Sequence, residues 1–365
     1  MKVAIITLHR VYNFGSVLQA YATQKVIEKN GAKAKIIDYI TPQRTFKRIL
    51  FQKASNYGLI KSCIYYTLKF FSLLIKELTF GTFIKKNIKL TKKYVTVDDL
   101  IKDPPEADVY ITGSDQTWNS NYNEGIDKGF FLGFVPNNKK KVSFVSSFGK
   151  TKLDNYEINE TKKFLDNYAA ISVRENSAVE IVKSLHINNV TQLIDPTLQL
   201  TKDEWVKIAS KRLVKEKYLI LMLLYNEDNG ATDYARKIAD EKNLKLVKIS
   251  WELKKPKKVD KLFTHRSPAD FLSLFANADF VVTNSFHGLA FSINLHRDFI
   301  VVPRNEYNSR IESLLELVNL NDRLVMNVEE AKAVSKKDID YIQVENVLND
   351  ERRKANSFIV DNIIS

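Results

Sequence analysis

The chain has 365 residues, 44% apolar and 27% charged, a globular mixture long enough for two domains at about 150 residues each, which excludes a disordered, fibrous or disulfide-stapled protein. A lone cysteine, Cys63, rules out an internal disulfide and points to the cytosol. Of the formal charge of +13, the segment from Thr41 to Val95 supplies +11, through twelve basic residues against Glu77, so the nearly neutral remainder excludes a uniformly basic nucleic-acid binder.

In chain order, the apolar run over residues 3–7 is too short for a signal-peptide core and predicts a first strand. Val17, Leu18, Tyr21, Ala22, Lys25, Val26 and Ile27 then recur at helical spacing, and Gly31 closes that helix as a C-cap. Further strands are predicted over 34–39, 109–112, 141–145, 170–173 and 191–194, an alternation that signals βαβ units and a mostly parallel sheet. Within the basic arm, 41–95, Ile60, Ile64, Phe71, Leu74 and Leu78 share one helical face, with Lys61, Lys69 and Lys76 roughly opposite. Such a face either packs on the N-terminal domain with its lysines in water, or docks on an anionic membrane surface. Cys63, among Ile60, Ile64, Phe70 and Phe71, is expected to be buried.

Pro196 in Asp195-Pro196-Thr197 interrupts regular structure, and a helix over 202–210 leads into a second domain. There the alternation repeats, with strands at 218–224, 245–249, 280–283 and 299–302 and helices at 231–242, 268–276, 288–294, 310–318 and 336–359. The resulting domains are 1–200, 201–335 and a C-terminal helical segment 336–365. Both domains are α/β and Rossmann-like, facing a central cleft onto which the loops after the strands open. The longest charge-free stretch, 280–296, is interrupted by Thr283, Asn284, Ser285, His287 and Gly288 and falls short of a membrane span of about 18 apolar residues.

Several familiar motifs are absent. No glycine pair has the G-x-G spacing of a dinucleotide site, and Gly149-Lys150-Thr151 has Phe144 where a phosphate-binding loop begins with glycine. Asp338-Ile339-Asp340 opens the final predicted helix, where acids complement the helix dipole without a metal. No Cys/His set has metal-ligand spacing, so neither metal nor cofactor is expected.

The loops after the strands concentrate the chemistry. They are Tyr12-Asn13-Phe14-Gly15-Ser16, Gly113-Ser114-Asp115-Gln116-Thr117-Trp118-Asn119, Val173-Arg174-Glu175, Asp195-Pro196-Thr197 and Thr283-Asn284-Ser285-Phe286-His287-Gly288. In order and spacing this set resembles the polysaccharide pyruvyl transferase family over nearly the whole chain. The resemblance implies a fold similar to GT-B glycosyltransferases, no cofactor, and transfer of the enolpyruvyl group of phosphoenolpyruvate to two hydroxyls of a sugar, giving a pyruvate ketal and phosphate. It implies His287 as catalytic acid and Arg174 as a ligand of the anionic donor; Asp115 is the nearby candidate base. Arg310, Asn13, Gly15, Gln116, Trp118, Asn119, Asn284 and Ser285 complete the expected substrate-binding set. Better-known relatives often carry Arg-x-His where this chain has Ser285-Phe286-His287; Tyr307-Asn308-Ser309-Arg310 resembles a family segment ending in a cation, and Arg310 or Arg304 is expected to compensate. Gly15-Ser16 replaces a Gly-Asp of some members. The expected partners are phosphoenolpyruvate and a glycan or lipid-linked sugar acceptor, with the protein cytoplasmic and peripheral at the inner face of the membrane through 41–95. The competing functions are a nucleotide-sugar glycosyltransferase on the same fold and a non-catalytic partner in polysaccharide assembly.

Overall fold

The computed structural model describes residues 1–51, 59–224, 227–252, 254–305 and 308–365. It forms two units, Met1–Pro196 with Lys354–Ser365, and Thr197–Arg353. The chain's last residues thus return to the first unit.

The first unit is built on seven strands: β1 (Lys2–Ile6), β2 (Lys33–Tyr39), β3 (Leu90–Tyr94), β4 (Val109–Thr112), β5 (Lys140–Ser146), β6 (Ala170–Val173) and β7 (Val190–Gln192), in the order β3-β2-β1-β4-β5-β6-β7. The second has five: β8 (Tyr218–Met222), β9 (Lys245–Ile249), β10 (Lys261–Phe263), β11 (Phe280–Thr283) and β12 (Phe299–Val301), in the order β10-β9-β8-β11-β12. Every pairing between these strands is parallel. Central strands such as Val-Tyr-Ile-Thr of β4 are buried along their length, as helices covering both faces of a parallel sheet require. In each sheet the chain steps outward twice and then returns to the other side of its first strand. The order therefore reverses between β1 and β4, and again between β8 and β11, the positions where open α/β sheets bind ligands.

Two strands lie outside the predicted set. β3 contains Lys92 and Lys93 and β10 is three half-buried residues at a sheet edge, so neither shows the apolar run that marks an inner strand. Pro196 starts a short helix, Pro196–Gln199, because proline at the first helical position sacrifices no hydrogen bond. The last helix begins at Tyr341 rather than 336, where Asp340 Oδ1 accepts from the amides of Ile342 and Gln343.

Helix α1 (Phe14–Lys29) follows β1 directly. A short α2 (Phe46–Phe51) and the 29-residue α3 (Leu59–Asn87) carry the basic arm. The side chain of Ile60 lies outside the described residues. Ile64, Phe71, Leu74 and Leu78 are exposed, and Cys63 with them, while Lys69 and Lys76 are half-buried. The helix is thus turned opposite to the packing expected of its apolar face, since Leu73, Phe80 and Phe83 on its other side fill the body. No described helix is long and apolar enough to cross a membrane.

Candidate active site

In the first unit the loops after β1, β4, β5 and β6 tie themselves into one buried cluster. β5 shifts register between Ser143 and Ser146, with Val145 at φ +60°, a strained conformation for a β-branched residue. That irregularity brings Ser146 and Ser147 under the β4 loop. Ser146 Oγ donates to the Gly113 carbonyl (3.1 Å), and the Ser147 amide donates to the Asp115 carbonyl (3.1 Å). Asp115 itself has φ +76°, a conformation aspartate tolerates better than most residues. Its carboxylate accepts from the Ser16 hydroxyl in the first turn of α1 and from the Gln116 amide (2.9 Å).

Arg174 stands at the centre of this cluster with its side chain 2% exposed. Nη1 donates to Asp195 Oδ2 at 2.9 Å, while Nε lies 3.5 Å from Glu175 Oε2 and Nη2 3.9 Å from Asp115 Oδ1. Burial opposes the guanidinium's charge, but Asp195, Glu175 and Asp115 outweigh it and raise its pKa above the ordinary value. Three carboxylates thus surround the guanidinium. Arg174, expected to hold the anionic donor, meets these three carboxylates at the ends of β4, β6 and β7. Glu175 is held in turn by the Ser147 hydroxyl at 2.6 Å.

Beneath the β1 loop, Asp38 accepts from His9 Nε2 (2.9 Å) and, bidentately, from Arg10 (2.9 and 2.8 Å). Burial pushes that carboxyl up, yet the His9 and Arg10 hydrogen bonds prevail and hold it well below the usual carboxylate range.

Other members of the expected binding set make these contacts within their own unit. Trp118 is a core residue, 2% exposed, stacked on Phe131 with ring centroids 5.5 Å apart and donating Nε1 to the Phe130 carbonyl. The indole's large apolar area is worth most inside. Asn13 caps α1, accepting from the amides of Gly15 (2.9 Å) and Ser16 (3.4 Å). Asn119 caps the following turn and donates to Gln116 Oε1 (2.6 Å). Gly149, at φ +64°, lets this pair close, for a Cβ there would lie 2.2 Å from Gln116 Oε1.

The second unit builds its cluster after β11. Ser285 N-caps the helix Phe286–Asn294 by accepting from the Gly288 amide at 3.3 Å. A Cβ at position 288 would lie 2.4 Å from Thr283 Oγ1, so only glycine admits the helix this close to its strand. His287 therefore sits in the first helical turn, 8% exposed, its ring edge-on to Phe286 at 5.1 Å. Arg310 places its guanidinium 5.8 Å from the centre of the Phe286 ring. Arg304 is paired bidentately with Glu227 (3.1 and 3.2 Å). Asn284 straps the β8 loop, accepting from the Leu224 amide (2.7 Å) and donating to the Glu227 carbonyl (2.9 Å). Of the segment 307–310, Tyr307 lies outside the described residues.

Sequence reasoning assigned no role to Glu175, Asp195, Ser147 or Glu227. The first two adjoin quoted motif residues and carry that signal; Ser147 and Glu227 join their clusters only through the β5 irregularity and the fold of the β8 loop. Among the described residues no group of three or more His, Cys, Asp or Glu side chains has the geometry of a metal site.

The family model for polysaccharide pyruvyl transferase matches residues 13–306, a span that holds Asp115, Arg174 and His287 and ends before Arg310. The chain belongs to that family. A search of curated proteins returns no match. Among solved structures, a UDP-N-acetylglucosamine 2-epimerase from Listeria monocytogenes is similar at 13% identity, covering 99% of this chain and 94% of the other with a TM-score of 0.51. The MnaA–UDP structure from S. aureus is similar at 12% identity, 99% and 95% coverage and a TM-score of 0.50. The likeness is one of fold, a GT-B-type fold with two Rossmann-like α/β units, and the family places a transferase on it.

Proposed function

We propose that this family member transfers the enolpyruvyl group of phosphoenolpyruvate to two hydroxyls of a sugar in a cell-surface polysaccharide or its lipid-linked precursor. The observation that carries the reading is His287 in the first turn of a helix, beside a ring that bears the Arg310 guanidinium. A helix N-terminus and a nearby guanidinium together favour an anion carrying carboxylate and phosphate, and that anion in turn favours the protonated imidazole.

In the reaction, one sugar oxygen bonds to C2 of the donor while His287 protonates C3, converting the methylene to a methyl group; Asp115 takes the hydroxyl proton. The second oxygen then bonds to C2 as the C2–O bond to phosphate breaks. The second hydroxyl's proton leaves with phosphate, and the proton taken by Asp115 passes to water while His287 regains one from water, so over the cycle the two hydroxyl protons balance the new methyl hydrogen and the released phosphate. Arg174 acts through Asp115 and Asp195, fixing the loop that bears the base.

Thermal stabilisation by phosphoenolpyruvate, set against a panel of UDP-sugars, tests the donor. Stabilisation by phosphoenolpyruvate, followed by phosphate release with acceptor, is expected. Stabilisation by a UDP-sugar alone would replace this reading with a glycosyltransferase.

A further inference from the structure

Helix α3 presents two unlike faces. On one, Leu73, Phe80 and Phe83 are buried; Phe80 stacks on Phe14 at 5.3 Å, and Phe83 meets Tyr21 edge-on at 6.4 Å. On the other, Ile64, Leu68, Phe71, Ile75 and Leu78 stand 57%, 60%, 55%, 43% and 59% exposed. Their spacing of four, three, four and three residues sets them in one stripe about 21 Å long at 1.5 Å per residue. A soluble surface rarely leaves so many large apolar side chains in a row without a partner.

The charge around the stripe identifies that partner. Lys61 lies just before it and Lys85 and Lys86 just after, all exposed, and at 100° per residue all three fall within about 70° of its centre. α2 adds exposed Lys47 and Arg48 and packs on α3 through Phe46 and Phe70, 5.8 Å apart. We propose that this face of α3 docks, parallel to the surface, on a lipid bilayer bearing anionic headgroups. The acyl region takes the stripe and the headgroups take the lysines. A second copy would bring two segments of +11 together, and a polyanion without an apolar layer would leave the stripe in water.

Docking also has a route to the first-unit cluster. Glu77, on the same helix, accepts from the Tyr12 hydroxyl at 2.8 Å and lies 4.0 Å from Arg10 Nη1, so α3 braces the loop between β1 and α1. The inference goes beyond the transfer reaction and does not rest on the identity of the donor.

Co-sedimentation of the full chain with phosphatidylcholine vesicles, with and without about one-third phosphatidylglycerol, tests it without reference to catalysis. The full chain should partition onto the anionic vesicles at least tenfold more than onto neutral ones, and lose that preference in high salt. Leu68→Gln/Phe71→Gln and, separately, Lys61→Gln/Lys85→Gln/Lys86→Gln should each lower partitioning about tenfold while keeping the parent's circular dichroism and melting temperature. Indifference to anionic vesicles at low salt overturns the proposal. So does sedimentation equilibrium showing a dimer that Leu68→Gln/Phe71→Gln dissolves, which would make the stripe a self-association seam.

Discussion

The two units share a sheet plan yet treat their switch points in opposite ways. After β4 and β6 the first unit folds its charged groups onto one another, so that Arg174 is enclosed by Asp115, Glu175 and Asp195. After β11 the second unit offers a helix N-terminus with His287 in its first turn and Arg310 over the neighbouring ring. A cluster of carboxylates around one arginine suits the fixing of a base, and a helix N-terminus with a cation suits the binding of an anion. Topology alone therefore does not distinguish the two switch points; the charged groups of their loops do.

The sharpest test of this division is His287→Gln. Turnover should fall by about 10²–10⁴ while calorimetric affinity for phosphoenolpyruvate stays within a few-fold, because the proton is needed chiefly in the transition state. Near-normal turnover would remove His287 from the chemistry. Next, Arg174→Ala leaves buried carboxylates without their counter-charge and should cost about 3–5 kcal/mol of stability in denaturant unfolding. A variant of unchanged stability that loses only donor affinity would move the donor site to the first unit and reverse the comparison.

A smaller effect is expected at Asp38, below the β1 loop. Its carboxyl is lower in the folded protein than in the unfolded chain, so its charge stabilises the fold above a pH of about 4 and ceases to do so as pH falls through the folded value. Asp38→Asn should therefore cost about 2–3 kcal/mol at pH 7, with the gap to the parent narrowing toward acid. A gap that widens toward acid would contradict the assignment. The mildest prediction concerns the second unit's cations: Arg310→Ala should weaken phosphoenolpyruvate binding about tenfold, the worth of one half-buried charge-assisted contact. Equal weakening by Arg304→Ala would show that the Glu227 pair opens to the donor.

Much of this molecule was legible in its residues. The strands 109–112, 170–173, 245–249 and 280–283 and the helix 268–276 coincide with the observed elements, because inner parallel strands and buried helices are predominantly apolar, with β-branched and aromatic residues in the strands. The edge strands β3 and β10 were not legible, since an edge needs no such pattern. Likewise the residue types of the loop motifs announced a chemical site, but Trp118 and Asn13, polar-handled residues in a site-like string, proved to be core and cap.

What the sequence by itself determined is the α/β alternation, the family motifs and the concentration of positive charge between Thr41 and Val95. These are properties of local composition and order, fixed before any packing. The tertiary structure alone decided which carboxylates enclose Arg174, that Arg310 stands over the Phe286 ring, and that α3 turns Leu73, Phe80 and Phe83 inward while Ile64, Leu68 and Phe71 face water. Those outcomes depend on contacts between segments far apart in the chain, and an amphipathic pattern says that a helix has two faces without saying which of them finds a partner.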